Sequence, residues 1–272
     1  MKKLIAVAAL VPLLLYALLV AVTYVGQRKL QYHPDRENPA APAGILDVEL
    51  VAEDGPRIRA WVTESEGKDA VLILHGNGGN RSNLQSVLFG FRDRGLRAMI
   101  VDYRGYGGSE GEPSEEGLYA DAEAAWNWLK KNGATRVGIW GFSLGTGVAV
   151  ELAARHDEAF LILDAPFDSA ASIAKLRYPL LPVDWLMVDR YDSIDKIAGI
   201  ASPLLIFHGT ADAVIPIASG RKLFDAAPDP KWFIPVEGAD HNSLRSVAKS
   251  PYWTAVDRLL SMLRPPLLRP SQ

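Results

Sequence analysis

Short apolar runs alternate with helical patterns along most of this 272-residue chain. The runs typical of buried strands are residues 70–74, 98–101, 137–140, 160–163, 204–207 and 232–235, and the helical patterns are 115–131, 143–155, 217–227 and 251–263. A parallel strand is covered on both faces and is therefore apolar throughout. The alternation predicts an α/β fold, a mostly parallel, doubly wound sheet with helices on both faces. Residues 46–51 and 58–63 add an antiparallel pair at its start.

Composition excludes several classes of protein. The formal net charge is only -3, so the chain lacks the basic footprint of a nucleic-acid-binding protein. It contains no cysteine, which excludes a disulfide framework, a thiolate metal site and a cysteine nucleophile. We therefore expect no nucleic-acid partner, and the composition leaves the oligomeric state open.

The N-terminal apolar stretch is longer than the apolar runs in the rest of the chain. Residues 4–25 are 22 residues without a charge, preceded by Lys2 and Lys3 and followed by Arg28 and Lys29. A helix of that length spans about 33 Å, against about 30 Å for the hydrocarbon core of a bilayer. We predict one transmembrane helix, a signal anchor that stays uncleaved. A cleaved signal peptide and a buried N-terminal helix are the alternatives.

The predicted organisation has four parts. Residues 1–26 are the membrane anchor, and the proline-containing residues 27–45 are a stalk. Residues 46–264 are the α/β domain, and residues 265–272 are a C-terminal tail. Basic residues stand on both sides of the apolar stretch, so the positive-inside rule orients it weakly. We expect a single-pass membrane protein with the domain outside the cytoplasm.

The segment Gly141-Phe-Ser-Leu-Gly145 places a serine between a predicted strand and a predicted helix. Glycines at both flanks suit a sharp turn that leaves no room for side chains and presents the serine hydroxyl at the edge of the sheet. Ser143 is therefore the candidate nucleophile. The competing interpretation is an ordinary glycine-rich turn with a solvent-exposed serine.

A second glycine-rich loop, His75-Gly-Asn-Gly-Gly-Asn80, follows another buried run. Stabilising a tetrahedral intermediate takes two preorganised N–H donors, one after the nucleophile and one from such a loop. The predicted oxyanion hole consists of the backbone N–H groups of Asn77 and Leu144. His75 itself is expected to be structural, and a plain helix-capping turn is the alternative for the loop.

A serine nucleophile needs a base and an acid that orients the base. Among the five histidines, His241 alone lies between the last predicted strand and the final helix. Asp212 follows the penultimate strand, which completes the chain order serine, acid, histidine. Asp164, directly after residues 160–163, is the rival acid. The triad Ser143, Asp212 and His241 requires no metal or organic cofactor.

These motifs, taken together, resemble the α/β-hydrolase superfamily over about residues 30 to 263. The resemblance rests on five segments in order, which are His75–Asn80, Asp102-Tyr-Arg-Gly-Tyr-Gly-Gly-Ser-Glu-Gly111, Gly141–Gly145, His208-Gly-Thr-Ala-Asp212 and Gly238-Ala-Asp-His-Asn242. The chain looks most like membrane-anchored α/β-hydrolase-domain proteins, among which are depalmitoylases, lysophospholipases and monoacylglycerol lipases. The resemblance implies the α/β-hydrolase fold and serine hydrolase activity.

The connection at about residues 167–198 is long and contains the apolar segment 180–187. A short lid with an apolar inner face is one interpretation, and packing against the core is the other. An apolar lid beside a membrane anchor favours lipid-like or acylated esters and thioesters as substrates. A serine peptidase or amidase on the same scaffold, and a catalytically silent membrane-tethered binding protein, are the alternative functions.

Overall fold

The computed structural model of the chain describes residues 2–65 and 67–263. The strands are β1 His33–Pro34, β2 Ile45–Val51, β3 Arg57–Thr63, β4 Asp69–Leu74, β5 Gly78–Gly79, β6 Arg97–Val101, β7 Arg136–Phe142, β8 Leu161–Asp164, β9 Leu204–Gly209 and β10 Lys231–Val236. The helices are α1 Lys2–Gln31, α2 Gln85–Arg92, α3 Glu115–Lys131, α4 Leu144–Arg155, α5 Ala170–Arg177, α6 Val183–Leu186, α7 Ile217–Ala226 and α8 Leu244–Leu263.

Eight of these strands form one sheet in the order β10-β9-β8-β7-β4-β6-β3-β2. The pairs β2–β3 and β3–β6 are antiparallel, and every other neighbouring pair in this sheet is parallel. The predicted mostly parallel sheet with an antiparallel pair at its start is therefore confirmed. Because β4, β7, β8, β9 and β10 are mutually parallel, the loops that follow them meet at the same edge of the sheet.

The two faces of the sheet carry separate apolar layers. Leu72 and Leu74 of β4 pack with α3 and α4 on one face, whereas Val71 and Ile73 pack with α2 and α8 on the other. Successive side chains of a strand point to opposite faces, so a strand covered twice needs an apolar residue at each position. This requirement explains the uninterrupted apolar runs of the central strands.

Two helices depart from the sequence pattern. Helix α2 was not predicted, because its eight residues include Gly90 and β-branched and aromatic side chains of modest helix propensity. Gly90 lies where a methyl group would overlap the ring of Trp253, so packing against α8 requires it. Helix α8 begins at Leu244, earlier than the predicted residue 251, and is interrupted at Lys249, whose φ is +48°.

The N-terminal helix α1 runs to Gln31, so the predicted boundary at residue 26 falls inside it. Within the described residues, Leu10–Gln31 is the one helical segment long and apolar enough to span a membrane, and it is not buried against the protein. The predicted stalk also makes contacts, since β1 pairs in parallel with β5 of the loop after β4. The predicted tail, residues 265–272, lies outside the described residues.

The loop after β6 is held by a buried ion pair. Arg104 donates hydrogen bonds to Asp121 on α3, with its Nη2 2.8 Å from Oδ1, and to Asp54, 2.6 Å from its Nη1. Asp121 is completely buried and Asp54 is about half exposed. Removing one partner of a buried pair leaves an uncompensated charge in the interior.

We predict that Arg104→Ala lowers the free energy of unfolding by about 3–5 kcal/mol, because Asp121 loses its counter-charge. Arg57 is the matched control, since it also bridges two acidic residues, Glu110 and Glu49, but on the exposed surface. Arg57→Ala should leave the free energy of unfolding close to that of the unaltered chain, because exposed ion pairs contribute little to stability. Urea unfolding measures the free energy of unfolding of both variants. Equal losses of stability would contradict the stabilising role of the buried pair between Arg104 and Asp121.

Candidate active site

Ser143 lies on a sharp turn between β7 and α4. Its backbone adopts φ +52° and ψ −121°, a strained conformation for a residue with a side chain. The flanking glycines make the turn possible. A methyl group on Gly145 would overlap the carbonyl oxygens of Leu74 and His75 at the end of β4, and one on Gly141 would overlap the carbonyl of Gly145.

His241 and Asp212 approach this turn from the loops that follow β10 and β9. The Nε2 atom of His241 lies 2.9 Å from Oγ of Ser143, and its Nδ1 lies 2.8 Å from Oδ2 of Asp212. An ionised carboxylate only accepts hydrogen bonds, so Nδ1–H donates to Asp212 and Nε2 is left to accept the hydroxyl proton of Ser143. The three side chains form one continuous chain of hydrogen bonds.

The carboxylate of Asp212 is held in place on both oxygens. Its Oδ1 accepts hydrogen bonds from the backbone N–H groups of Val214 at 2.9 Å and Ile215 at 2.8 Å. Burial raises the pKa of Asp212, but the hydrogen bonds from His241 and from these N–H groups outweigh it, so the pKa lies below its ordinary value. The group therefore stays ionised at neutral pH and can stabilise a positive charge on His241.

Asp164, the rival acid, occupies a different place. Its side chain is fully buried and accepts hydrogen bonds from the hydroxyl of Tyr252 at 3.0 Å and from Nη1 of Arg245 at 3.2 Å. Burial raises its pKa to about 6, although Arg245 opposes the shift. Its backbone carbonyl accepts the N–H of Ser143 at 3.0 Å. Asp164 thus connects β8 to α8 through its side chain and holds the serine turn through its backbone carbonyl.

The two predicted oxyanion donors border the same cavity as Ser143. Leu144 is the first residue of α4, so its N–H belongs to the helical turn that lacks intrahelical acceptors. Asn77 is fixed by its neighbours, since its carbonyl accepts hydrogen bonds from His33 N–H and from the hydroxyl of Tyr106, both at 2.8 Å. The loop around Asn77 is therefore ordered before any ligand binds.

The other histidines of these loops serve the structure. His75 is buried with its Nδ1 2.7 Å from the carbonyl of Gly76, and burial lowers its pKa to about 4. His208 is also buried, with Nε2 2.8 Å from the carbonyl of Ile215, and burial lowers its pKa too. Both rings are neutral at physiological pH. The expected structural role of His75 agrees with this arrangement.

A cavity of about 450 Å³ lies above Ser143. Its walls are mainly apolar, and they come from α5, from the segment before and within α6, and from the last turns of α1. The residues of α1 at this wall are Thr23, Tyr24, Gln27, Leu30 and Gln31. The sequence does not point to these residues, because no local signal relates a predicted membrane helix to a pocket more than a hundred residues away in the chain.

Among residues 2–65 and 67–263, no cluster of three or more histidine, cysteine, aspartate or glutamate side chains is positioned to share a metal ion.

Comparison with known proteins agrees with this architecture. A family model described as the alpha/beta hydrolase fold matches residues 69–193. An uncharacterised protein from Mycobacterium tuberculosis is 38% identical over 226 residues, covering 79% of this chain and 80% of that protein. The chain belongs to the α/β-hydrolase superfamily.

Further relatives and structures support the same assignment. Alpha/beta hydrolase domain-containing protein 17B from Homo sapiens is 39% identical over 65% of this chain and 62% of that protein. The solved structure of an esterase from Pyrococcus furiosus superposes with a TM-score of 0.73 at 18% identity, over 85% of this chain and 98% of that one. At that identity the structural likeness concerns the fold, and it confirms the predicted α/β-hydrolase fold.

We predict that Gly145→Ala destabilises the domain by about 1–3 kcal/mol or more, because its methyl group displaces the carbonyl ends of β4. Gly199 is the control, since it is exposed, has ordinary φ, and an added methyl group there meets no atom within 4 Å. Gly199→Ala should change stability by no more than about 0.5 kcal/mol. Thermal unfolding compares the two, and an unchanged melting temperature for Gly145→Ala would contradict the packing argument.

Proposed function

We propose that this protein is a membrane-anchored serine hydrolase that cleaves carboxylic esters or thioesters of lipid-like or acylated substrates. The observation that carries the proposal is the chain of hydrogen bonds from Ser143 through His241 to Asp212 at the floor of an apolar cavity. A hydroxyl alone is a poor nucleophile at neutral pH and needs an adjacent, oriented base. The distances from His241 to Ser143 and to Asp212 support such activation of the serine hydroxyl.

In the proposed reaction, His241 Nε2 accepts the proton of Ser143 as Oγ attacks the carbonyl carbon of the substrate. The negative charge that develops on the carbonyl oxygen is stabilised by the backbone N–H groups of Leu144 and Asn77. The imidazolium then donates its proton to the leaving alcohol or thiol, which leaves an acyl group on Ser143. A water molecule, deprotonated by His241, attacks the acyl-enzyme and releases the carboxylic acid.

The walls of the cavity support an acyl substrate rather than a peptide. Phe167, Ile173, Leu181 and Val183 surround the space above Ser143, and a cavity of about 450 Å³ falls in the usual range for small-molecule sites. An acyl chain buries its methylene groups against such walls, at about 0.8 kcal/mol for each group. A peptide backbone would find few polar partners on these mainly apolar walls.

The N-terminal helix supports the membrane part of the proposal. Its segment Leu10–Gln31 has a mean hydropathy of 1.9 and exposes its apolar side chains over most of its length. Because its last turns form one wall of the cavity, cleavage near residue 26 would separate those turns from the apolar stretch that precedes them. We therefore favour the retained anchor over the cleaved signal peptide.

A fluorophosphonate probe tests the enzymatic proposal directly, because it phosphonylates activated serines. The detergent-solubilised full chain should be labelled at Ser143, and Ser143→Ala should be unlabelled and lose about 10⁶-fold in kcat on p-nitrophenyl esters. Ser193→Ala is the control, since Ser193 is buried away from the triad beside Tyr191, and it should label like the unaltered chain. Labelling of Ser143→Ala, or none of the folded unaltered chain, would overturn the proposal and favour a binding protein.

We predict opposite outcomes for the two candidate acids. Asp212→Asn should lower kcat by about 10³–10⁴-fold, because the amide favours the wrong tautomer of His241. Asp164→Asn should keep kcat within about threefold, because its side chain bonds Tyr252 and Arg245 rather than the imidazole. Steady-state hydrolysis of p-nitrophenyl butyrate measures both. A larger loss for Asp164→Asn, with the variant still folded, would transfer the acid role to Asp164.

A further inference from the structure

The segment of residues 176–188, here called the lid tip, exposes a cluster of large apolar side chains. Leu176 is 68% exposed, Leu180 81% and Trp185 90%, and Tyr178 and Val188 are also exposed. Other side chains of the same segment, such as Leu181 and Val183, face the cavity above Ser143. A concentration of exposed apolar side chains on a short segment marks an interaction surface.

Hydrogen bonds at several points attach the lid tip to α1. The hydroxyl of Tyr16 donates to the carbonyl of Leu180 at 2.9 Å. The side chain of Gln27 donates to the carbonyl of Leu186 at 3.1 Å and accepts the N–H of Val188 at 2.8 Å. Tyr16 and Gln27 are separated by about 16 Å along a helix, so the lid tip runs beside α1 for roughly three turns.

This attachment determines how deep the lid tip lies. Tyr16 precedes residue 25, the end of the uncharged stretch, by nine residues, which corresponds to about 13 Å of helix. With α1 inserted in a bilayer, Leu180 therefore lies at the depth of the acyl chains rather than in water. Over the same turns α1 itself exposes Leu18, Leu19 and Val22, so the helix and the lid tip both present apolar side chains to their surroundings.

Several polar groups of the lid tip have partners that suit that environment. Irregular backbone is tolerated at membrane depth only where its N–H and C=O groups have partners. Tyr16 and Gln27 supply partners for Leu180, Leu186 and Val188, and Met187 N–H bonds the carbonyl of Val183 at 2.9 Å. The carboxylate of Asp184 is neutralised by Lys175, whose Nζ lies 2.6 Å away.

From these contacts we propose that the lid tip is immersed in the bilayer beside α1, in contact with phospholipid acyl chains. The cavity above Ser143 is bordered by the lid tip and by the last turns of α1. An acyl substrate can then pass from the leaflet into the cavity without crossing water. The immersion follows from the geometry of α1 and the lid tip, whereas the route of the substrate rests on the proposed hydrolase function.

Fluorescence quenching tests the immersion without any reference to activity. The full chain is reconstituted in phosphatidylcholine vesicles with and without phosphatidylcholine brominated on its acyl chains, which quenches only tryptophans within the hydrocarbon. None of the seven tryptophans lies in α1. We expect a quenchable component in the unaltered chain, its loss in Trp185→Phe, and its retention in Trp232→Phe, whose Trp232 is 37% exposed on β10.

Equal quenching of Trp185→Phe and the unaltered chain would overturn the proposal. So would the absence of quenching in the unaltered chain, which would leave the exposed side chains to a protein partner or to a second copy of this chain. Both outcomes are independent of whether Ser143 reacts with a fluorophosphonate.

Activity tests the route of the substrate. The variant Leu180→Ser/Trp185→Ser should hydrolyse a long-chain ester embedded in vesicles at least about tenfold more slowly, because it loses apolar contact with the lipid. It should hydrolyse soluble p-nitrophenyl butyrate at the unaltered rate, since neither residue borders the cavity. Val51→Ser, at a 66% exposed position on β2, is the control and should match the unaltered chain on both esters.

The outcomes separate the two proposals. If Trp185 is quenched but no ester is hydrolysed and Ser143 stays unlabelled, the hydrolase function fails and the immersion stands. If soluble esters are hydrolysed but the double variant is unimpaired on vesicles, the lipid route fails and the hydrolase function stands.

Discussion

The close approach of the Ser143 turn to the end of β4 is the contact on which the rest of the site depends. Gly145 touches the carbonyl oxygens of Leu74 and His75, so the first turn of α4 and the loop after β4 lie side by side. That approach brings Leu144 and Asn77 to the same cavity, and it holds Ser143 at a positive φ. Any side chain at position 145 would push the Ser143 turn away from the loop after β4 that carries Asn77.

The electrostatics of the site follow from which groups receive hydrogen bonds. Asp212 keeps a low pKa because two backbone N–H groups and His241 donate to it, whereas burial outweighs the single hydrogen bonds of His75 and His208 and lowers their pKa values. Asp164 is the last residue of β8, and its side-chain partners are Tyr252 and Arg245. The preferred acid and its rival in the sequence therefore have different chemistry.

The N-terminal helix is part of the hydrolase domain as well as a candidate anchor. It joins the lid tip through Tyr16 and Gln27, it forms an ion pair from Arg28 to the buried Asp189, and its last turns border the cavity. In the proposed function, membrane attachment and substrate access are thus connected through the same contacts. A domain expressed without this helix would lack one wall of its own pocket.

The sequence by itself determined the central sheet, the serine turn and the order of the candidate triad, because these depend on local patterns of apolar runs, glycines and loop positions. It favoured Asp212 over Asp164 as the acid, and it missed α2, whose Gly90 packs against Trp253 of α8. Only the tertiary structure placed α1 against the lid tip and the cavity. Those contacts join residues about 160 positions apart through single hydrogen bonds, such as that from Tyr16 to Leu180. The sequence pattern cannot reveal such contacts, because it reflects only local spacing.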